Sequence, residues 1–420
     1  MTSGCDTRAR IILRLLSPAP AMNPNLALLQ PYPFQKLSAL FKGITPSPAH
    51  SPVSLSIGEP KHAAPAFIQQ VLKDNLSGLA RYPATAGSSE LRRSIGDWLI
   101  RRHHLEHLNA DSQVVPVNGS REALFAFAQC VVDATRPDAL VAMPNPFYQI
   151  YEGAALLAGA QPRFLNLEAH ANFRMNFAQL THEEWQRTQL LYVCSPGNPT
   201  GAVMNLEDWR ALFAHAEKYD LVIASDECYS EIYFDEANPP LGGLQAAQLL
   251  GRKDYRRVVA FGSLSKRSNV PGMRSGFVAG DAAILERFLL YRTYHGCAMN
   301  PAVQMASEAA WRDEAHVVEN RRAYRAKFEA AIQTLGSVTQ VSMPDAAFYL
   351  WLRTPIDDCE FARQLHQRYN VTVLPGSYLA REAHGANPGA RFVRAALVAE
   401  FDECMEAIKR LKQFFQEMHK

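Results

Sequence analysis

A chain of 420 residues that is 48% hydrophobic and 20% charged can bury one large core and a second, smaller one. Its 43 basic and 41 acidic residues leave a formal charge of +2 and are spread along the chain, so no basic stripe points to nucleic acid as a partner. No run reaches the roughly 20 apolar residues of a membrane span, and no section repeats at a fixed period.

The seven cysteines are scattered without a C-x-x-C pair, and their number is odd, which fits a reducing, cytoplasmic setting. Residues 1–21 join basic residues to a short apolar patch, "IILRLL", interrupted by Arg14. They are expected to be a disordered or misassigned leader, with the functional chain opening at Met22.

From about residue 65 to 300, strand-like and helix-like stretches alternate. The strands are expected in "SQVVPV", "DALVAMP", "PRFLNL", "QLLYVCSP", "DLVIASD" and "RRVVAFGS", with helical stretches such as "LEDWRALFAHAEKY" between them. This alternation implies an α/β fold with a mostly parallel sheet and helices on both faces. Ligands of such sheets sit at the carboxyl ends of the strands, so the residues where each strand stops carry the most information.

The first strand empties into Asn118, Gly119, Ser120 and Arg121 before a helix-like "EALFAFAQCVV". Free backbone N–H groups at a helix start suit a phosphate, although Gly-Ser there is also an ordinary cap. The next strand end brings Tyr148, a flat face that could stack on a planar ligand or simply pack. "SPGNPTG" holds Asn198 on a turn, and "ASDECY" delivers Asp226 and Tyr229 from an apolar run. A carboxylate in that position needs a cationic or donating partner; alone it could be a cap. "VVAFGSLSK" then ends in Lys266, with Ser263 and Ser265 before it and Arg274 after it. A lysine near an apolar strand end loses its proton readily and can form a Schiff base with an aldehyde. Together these groups match what pyridoxal 5'-phosphate needs.

In the order "IGEP", "YPATAGSSELR", "NGSREAL", "NPFY", "SPGNPTG", "SDECY", "SLSK", "GMRSG" and "RFVRAAL", the sequence resembles the fold-type-I, pyridoxal-phosphate-dependent aminotransferases of class I/II from about Met22 to the end. The resemblance implies that Lys266 carries the cofactor aldehyde and moves the proton. It implies that Asp226 holds the pyridine nitrogen protonated, that Asn198 and Tyr229 donate to the ring 3'-oxygen, and that Tyr148 stacks on the ring. Gly119, Ser120, Arg121, Ser263, Ser265 and Arg274 are then the phosphate ligands. Arg394 and Gly58 are the substrate carboxylate contacts, with Asn198 also on the substrate side. Tyr82 resembles a tyrosine that reaches the phosphate site of a second subunit, which implies a homodimer with shared active sites.

Within that family, "QPYPFQKL", "YRTYHGCAMNP", "TVLPGSYLAR" and "NPGARFVRAALV" look closest to succinyldiaminopimelate aminotransferases. This implies small-molecule substrates, N-succinyl-L,L-2,6-diaminopimelate and 2-oxoglutarate, in lysine biosynthesis. Arg292 and Tyr294 are candidates for reading the distal end of the longer substrate. The sequence departs from the pattern at Ala346–Ala347, where a glycine is expected before Phe348, and at Ala395, where a larger aliphatic is usual. Another amino-acid aminotransferase or a carbon–sulfur lyase could use the same lysine. A DNA-binding regulator on this fold would need a helix-turn-helix module, for which the about 20 residues before Met22 are too few. A nicotinamide oxidoreductase lacks its G-x-G-x-x-G.

No metal is expected. His103, His104 and His107 have no carboxylate or cysteine at ligand spacing and read as a solvated basic helix end. Cys194 and Cys228 read as inert packing, and the tail 400–420 as a helix with one apolar stripe. The expected layout is an N-terminal arm over 22–61, a large cofactor-binding domain over 62–300 and a C-terminal small domain over 301–420, the arm contributing to the small domain.

Overall fold

The computed structural model describes residues 22–418, so the expectations placed on 1–21 lie outside the described residues. Up to Gln30 the chain forms a unit of its own. In it, Asn23 caps a short 3-10 helix, Pro24–Leu28, by accepting the Asn25 N–H at 3.0 Å. The rest of this section concerns the unit that begins at Pro31.

The strands in chain order are β1 Val53–Ser54, β2 Val114–Val117, β3 Leu140–Asn145, β4 Gln161–Asn166, β5 Thr188–Cys194 and β6 Val222–Asp226, followed by β7 Val258–Ser263 and β8 Gly276–Gly280. The C-terminal part adds β9 Tyr349–Arg353, β10 Val371–Thr372, β11 Leu374–Pro375 and β12 Phe392–Ala396. A seven-stranded sheet runs β2-β8-β7-β6-β5-β3-β4. Neighbours are parallel from β7 through β4, while β8 lies antiparallel to both β2 and β7.

The strands expected from the apolar runs form. They are apolar because helices cover both faces of the sheet: β3 and β7 are buried along their whole length. The strand that the pattern did not suggest is β8. "GFVAG" is too short and too rich in glycine to announce itself. Gly276 is there for close approach, since a Cβ on it would lie 2.4 Å from the Gly262 carbonyl oxygen.

The helix Leu206–Tyr219 shows how local chemistry sets the connections. Asn205 accepts the N–H groups of Glu207 and Asp208, and Asp220 closes the helix in the left-handed region. Its apolar face buries Trp209, Leu212, Phe213 and Ala216 beneath the sheet.

A second core lies on a three-stranded antiparallel sheet, β11-β12-β9. Val53 and Leu55 of the N-terminal segment join it, and β1 pairs in parallel with β10. The C-terminal helix, Phe401–Met418, packs Cys404, Ala407, Ile408, Leu411, Phe414 and Phe415 into it, the expected stripe. The helix Pro301–Arg312 behaves otherwise. Its Ala306, Ala310 and Trp311 enter the core beneath the seven-stranded sheet, beside Trp98 and Phe277, although its residues lie past position 300.

The histidine cluster differs from its expected solvated end. His103, the last residue of the helix Ser89–His103, is buried, and burial pushes its pKa down to about 3, so the ring is neutral. His104, left-handed, and His107 are exposed. The helix end is held inward because Arg102 Nε meets Glu231 Oε1 at 2.6 Å and both side chains are nearly buried. No described helix is long and apolar enough to cross a membrane.

Candidate active site

A cavity of about 490 Å³ opens where the carboxyl ends of the sheet strands face β12 and β9. Lys266, Asp226, Tyr229, Asn198, Tyr148, Ser120, Arg121, Ser263, Ser265, Arg274, Gly58 and Arg394 all line it.

Ser263 ends β7 and accepts the Ser265 N–H at 3.1 Å, which starts the one-turn helix Leu264–Arg267. The turn carries Lys266 into the cavity, where its Nζ donates to the Gly58 carbonyl at 2.6 Å. Burial pushes the Lys266 pKa down to about 8, and Arg394 nearby adds to the shift. Unlike an ordinary lysine, this amine is within reach of its neutral, nucleophilic form near pH 7.

Asp226 ends β6. Its Oδ2 accepts from Tyr151 Oη at 2.6 Å and its Oδ1 from the Cys228 N–H at 3.2 Å. Burial raises its pKa, while these hydrogen bonds oppose the rise. Among the described residues it has no ion-pair partner within 4 Å, so the wall presents a buried carboxyl without a cation. Tyr151, stacked on Tyr192 at 4.6 Å, is a partner that the sequence reading did not single out.

The glycine before Ser120 has φ 85 and precedes the helix Ser120–Val131. A Cβ at Gly119 would lie 2.2 Å from Arg274 Nη2, so only glycine lets that guanidinium rest against the helix start. Arg274 itself is left-handed, φ 53, and donates to the Pro271 carbonyl at 2.8 Å. Ser263 Oγ and Ser265 Oγ lie 3.0 Å apart, and Ser120 Oγ accepts from Cys228 Sγ at 2.9 Å. A glycine-flanked helix N-terminus, three hydroxyls and an arginine thus share one corner, a geometry that suits a phosphate. The Arg121 side chain is engaged elsewhere, for its Nε donates to Tyr148 Oη at 2.6 Å.

The facing wall belongs to β12 and β9. Arg394 is buried, donating from Nη1 to Asn198 Oδ1 and from Nη2 to the Ser56 carbonyl, both at 2.8 Å. Its guanidinium lies 4.4 Å from the centre of the Tyr349 ring, and its Nε has no partner. Tyr349, which no sequence motif singles out, places its hydroxyl 2.7 Å from that of Tyr229. The signal that could have exposed it is Gly58, where a Cβ would lie 2.0 Å from Tyr349 Oη. Just before Phe348, where a glycine is expected, Ala347 holds φ 69 and is fully buried. The backbone keeps the glycine conformation with an alanine in it.

The two candidates for the distal substrate end do not line the cavity of this chain. Arg292 is buried and pairs with Glu122 at 2.9 Å, and Tyr294 points to solvent; neither lines the cavity. The helix Ala282–His295 turns Arg292 toward the start of Ser120–Val131 instead. Tyr82 is fully exposed and also lies outside the cavity. Cys194 and Cys228 do line it, but burial pushes both thiols up, which keeps them protonated.

The profile of the family described as aminotransferase class I and II matches residues 51–411. The fold is similar to a solved aminotransferase from Neisseria meningitidis, 50% identical with a TM-score of 0.91, over 94% of this chain and 100% of that one. It is also similar to the aminotransferase AspB of Helicobacter pylori, 36% identical with a TM-score of 0.85, over 92% and 99% of the two chains. An LL-diaminopimelate aminotransferase of Maridesulfovibrio salexigens is 29% identical over 93% of this chain and 98% of its own length. The protein therefore belongs to the class I and II aminotransferases, enzymes that work with pyridoxal phosphate.

Proposed function

We propose that this aminotransferase exchanges an amino group between N-succinyl-L,L-2,6-diaminopimelate and 2-oxoglutarate. The observation that carries the reading is Arg394, buried across the cavity from Lys266 with its Nε unpartnered. A buried, forked cation that lines the same cavity as the lysine suits an α-amino acid whose carboxylate takes the fork while its amino group meets the amine. A cavity of about 490 Å³ leaves room for a long side chain.

The residues fit pyridoxal phosphate. Gly119 makes way for Arg274 at the phosphate corner, Asp226 is a buried carboxyl without a cation, and Lys266 has a lowered pKa. When bound, the cofactor supplies an aldehyde for the amino group and a ring that accepts electrons. Lys266 would be the residue that holds the aldehyde end, and its Nζ, with a lowered pKa, would be the group that carries a proton to and from the substrate α-carbon. Asp226 would hold the ring nitrogen protonated, and Tyr151 and the Cys228 N–H keep its carboxylate in place for this. Tyr229 Oη and Asn198 Nδ2 would donate to the ring oxygen; the other end of the Asn198 amide accepts from Arg394, so this side chain would link the cofactor group to the substrate group. Tyr148, steadied by Arg121, would cover the ring. The hydroxyls of Ser120, Ser263 and Ser265, the helix N–H groups at Gly119–Arg121 and the Arg274 guanidinium hold the phosphate.

Fully exposed Tyr82 is assigned to the phosphate corner of a second copy in a homodimer. The same reading divides the chain into a large cofactor part and a small part made of the N-terminal segment and the C-terminal sheet, with helix Pro301–Arg312 moved to the large part. The spread of unpaired cysteines supports a cytoplasmic location.

A second reading, free L,L-diaminopimelate as the amino donor, is favoured by the relative of that name at 29% identity. One half-reaction separates them. Protein loaded with pyridoxal phosphate is mixed with the succinylated donor, the free donor or glutamate, and the visible band of the lysine-linked cofactor is followed. Conversion to the amine form by the succinylated donor and glutamate supports the proposal. Conversion by the free donor but not the succinylated one replaces it with the second reading. A response to glutamate alone removes both.

A further inference from the structure

We propose a binding site for zinc, or a cation of the same borderline softness, formed by Glu122, His295 and Cys297. One ligand atom from each residue lies within 4.8 Å of the others. His295 is the last residue of its helix, and Gly296 follows with φ 81, a conformation open to glycine and costly for other residues. That turn folds Cys297 back until its Sγ lies 3.1 Å from His295 Nδ1. The third donor comes from far away in the chain: Glu122, in the first turn of the helix Ser120–Val131, brings a carboxylate oxygen within 4.8 Å of the Cys297 thiol.

A sulfur, an imidazole nitrogen and a carboxylate oxygen form a donor set that zinc accepts, with an open position left for water. Zinc bonds of about 2.0–2.3 Å place tetrahedral ligands roughly 3.3–3.8 Å apart, a spacing that small side-chain rotations reach from here. Binding displaces the Cys297 thiol proton to solvent and uses the lone pair of a neutral imidazole; nothing is oxidised or reduced.

Arg292 sets the strength. Its Nη1 lies 2.9 Å from Glu122 Oε2 and its side chain is buried, so the incoming cation meets a fixed positive charge. The site is accordingly weaker than a closed structural zinc site. Glu122 also sets the consequence, because its Oε1 accepts the Asn118 N–H at 2.9 Å, one residue before Gly119. A metal that draws on this carboxylate loosens the start of the phosphate corner, and zinc slows loading of the cofactor. That consequence rests on the function proposed above, whereas the metal site does not.

The test is cobalt titration of the full-length holoenzyme, followed by its d–d absorption to the red of the cofactor band and by uptake in equilibrium dialysis. One cobalt per chain is expected, displaced by zinc. Cys297→Ser and His295→Gln, at the protein surface and outside the cavity, each lower the affinity at least ~10-fold. Uptake that is unchanged in both variants, or no uptake at micromolar cobalt, overturns the site. Glu122→Gln that binds like the parent overturns the three-residue form, and the other two variants still report if that substitution disturbs the fold through Arg292. With the parent apoprotein, zinc slows pyridoxal phosphate uptake and Cys297→Ser removes the effect; uptake indifferent to zinc overturns the link to the phosphate corner.

Discussion

The two walls of the cavity are made in different ways. On the sheet side, polar groups stand at the ends of buried strands and find partners close by: Ser265 for Ser263, Cys228 and Tyr151 for Asp226. On the facing side, Arg394, Tyr349 and Gly58 come from three segments far apart in sequence and are fitted against one another. Tyr349 Oη has room because Gly58 has no Cβ, and Arg394 lies along the Tyr349 ring. The first wall follows from local turns, the second from tertiary fit. Three hydrogen bonds join them, from Arg394 to Asn198, between the Tyr349 and Tyr229 hydroxyls, and from Lys266 to the Gly58 carbonyl.

If the walls are separable, damage to each should be read by different measurements. Lys266→Ala has the largest expected effect: transamination falls by at least ~10⁴-fold, while the protein stays folded and keeps the cofactor non-covalently by its phosphate. Near-normal turnover in that variant would remove the sheet-side wall from the chemistry. Arg394→Lys keeps the charge and loses the fork, so kcat/KM for both substrates drops about 10- to 100-fold through KM. Cofactor content should not change; if it falls in parallel, the walls are one unit.

Gly58→Ala attacks the fit itself. Its Cβ would lie 2.0 Å from Tyr349 Oη, and the overpacking costs about 1–3 kcal/mol in a denaturation experiment. Adding Tyr349→Phe recovers part of that loss if the two residues are coupled. The gentlest probe is pH. Because burial lowers the Lys266 pKa to about 8, the neutral amine is lost as pH falls through that value. The rate of cofactor capture by apoprotein should then drop about tenfold per pH unit below about 8 and level off above it. A rate that keeps climbing toward the ordinary lysine range would mean that Lys266 is not held as described.

The same contrast explains what could be read before folding. The strand ends of the first wall lie in short continuous motifs, so Lys266, Asp226, Asn198 and the phosphate corner were legible as residues in sequence order. Tyr349 was not, because a tyrosine in "AFYLWLR" looks like any half-buried strand aromatic until Gly58 is folded against it. Arg292 misled for a related reason. Its place within the "YRTYHG" motif gives no hint that the helix turns it toward Glu122, far earlier in the chain. The missed strand, β8, has no side-chain pattern to show, since its glycines are chosen for backbone approach. His103 was misread because charge and neighbours in sequence suggested solvent, whereas the Arg102–Glu231 pair draws that helix end inward.

Lys266 and Arg274 sit on a single loop whose neck is closed where Ser263 lies opposite Gly276 in the β7–β8 pairing. The amine and the guanidinium are therefore two pins on one clasp. A disturbance that opens the neck withdraws both together, and one that spares it leaves both in place. On the proposed reading, opening this one hairpin would cost the cofactor its amine and its guanidinium contact at once, while the contacts at Ser120 and Asp226 lie on other elements.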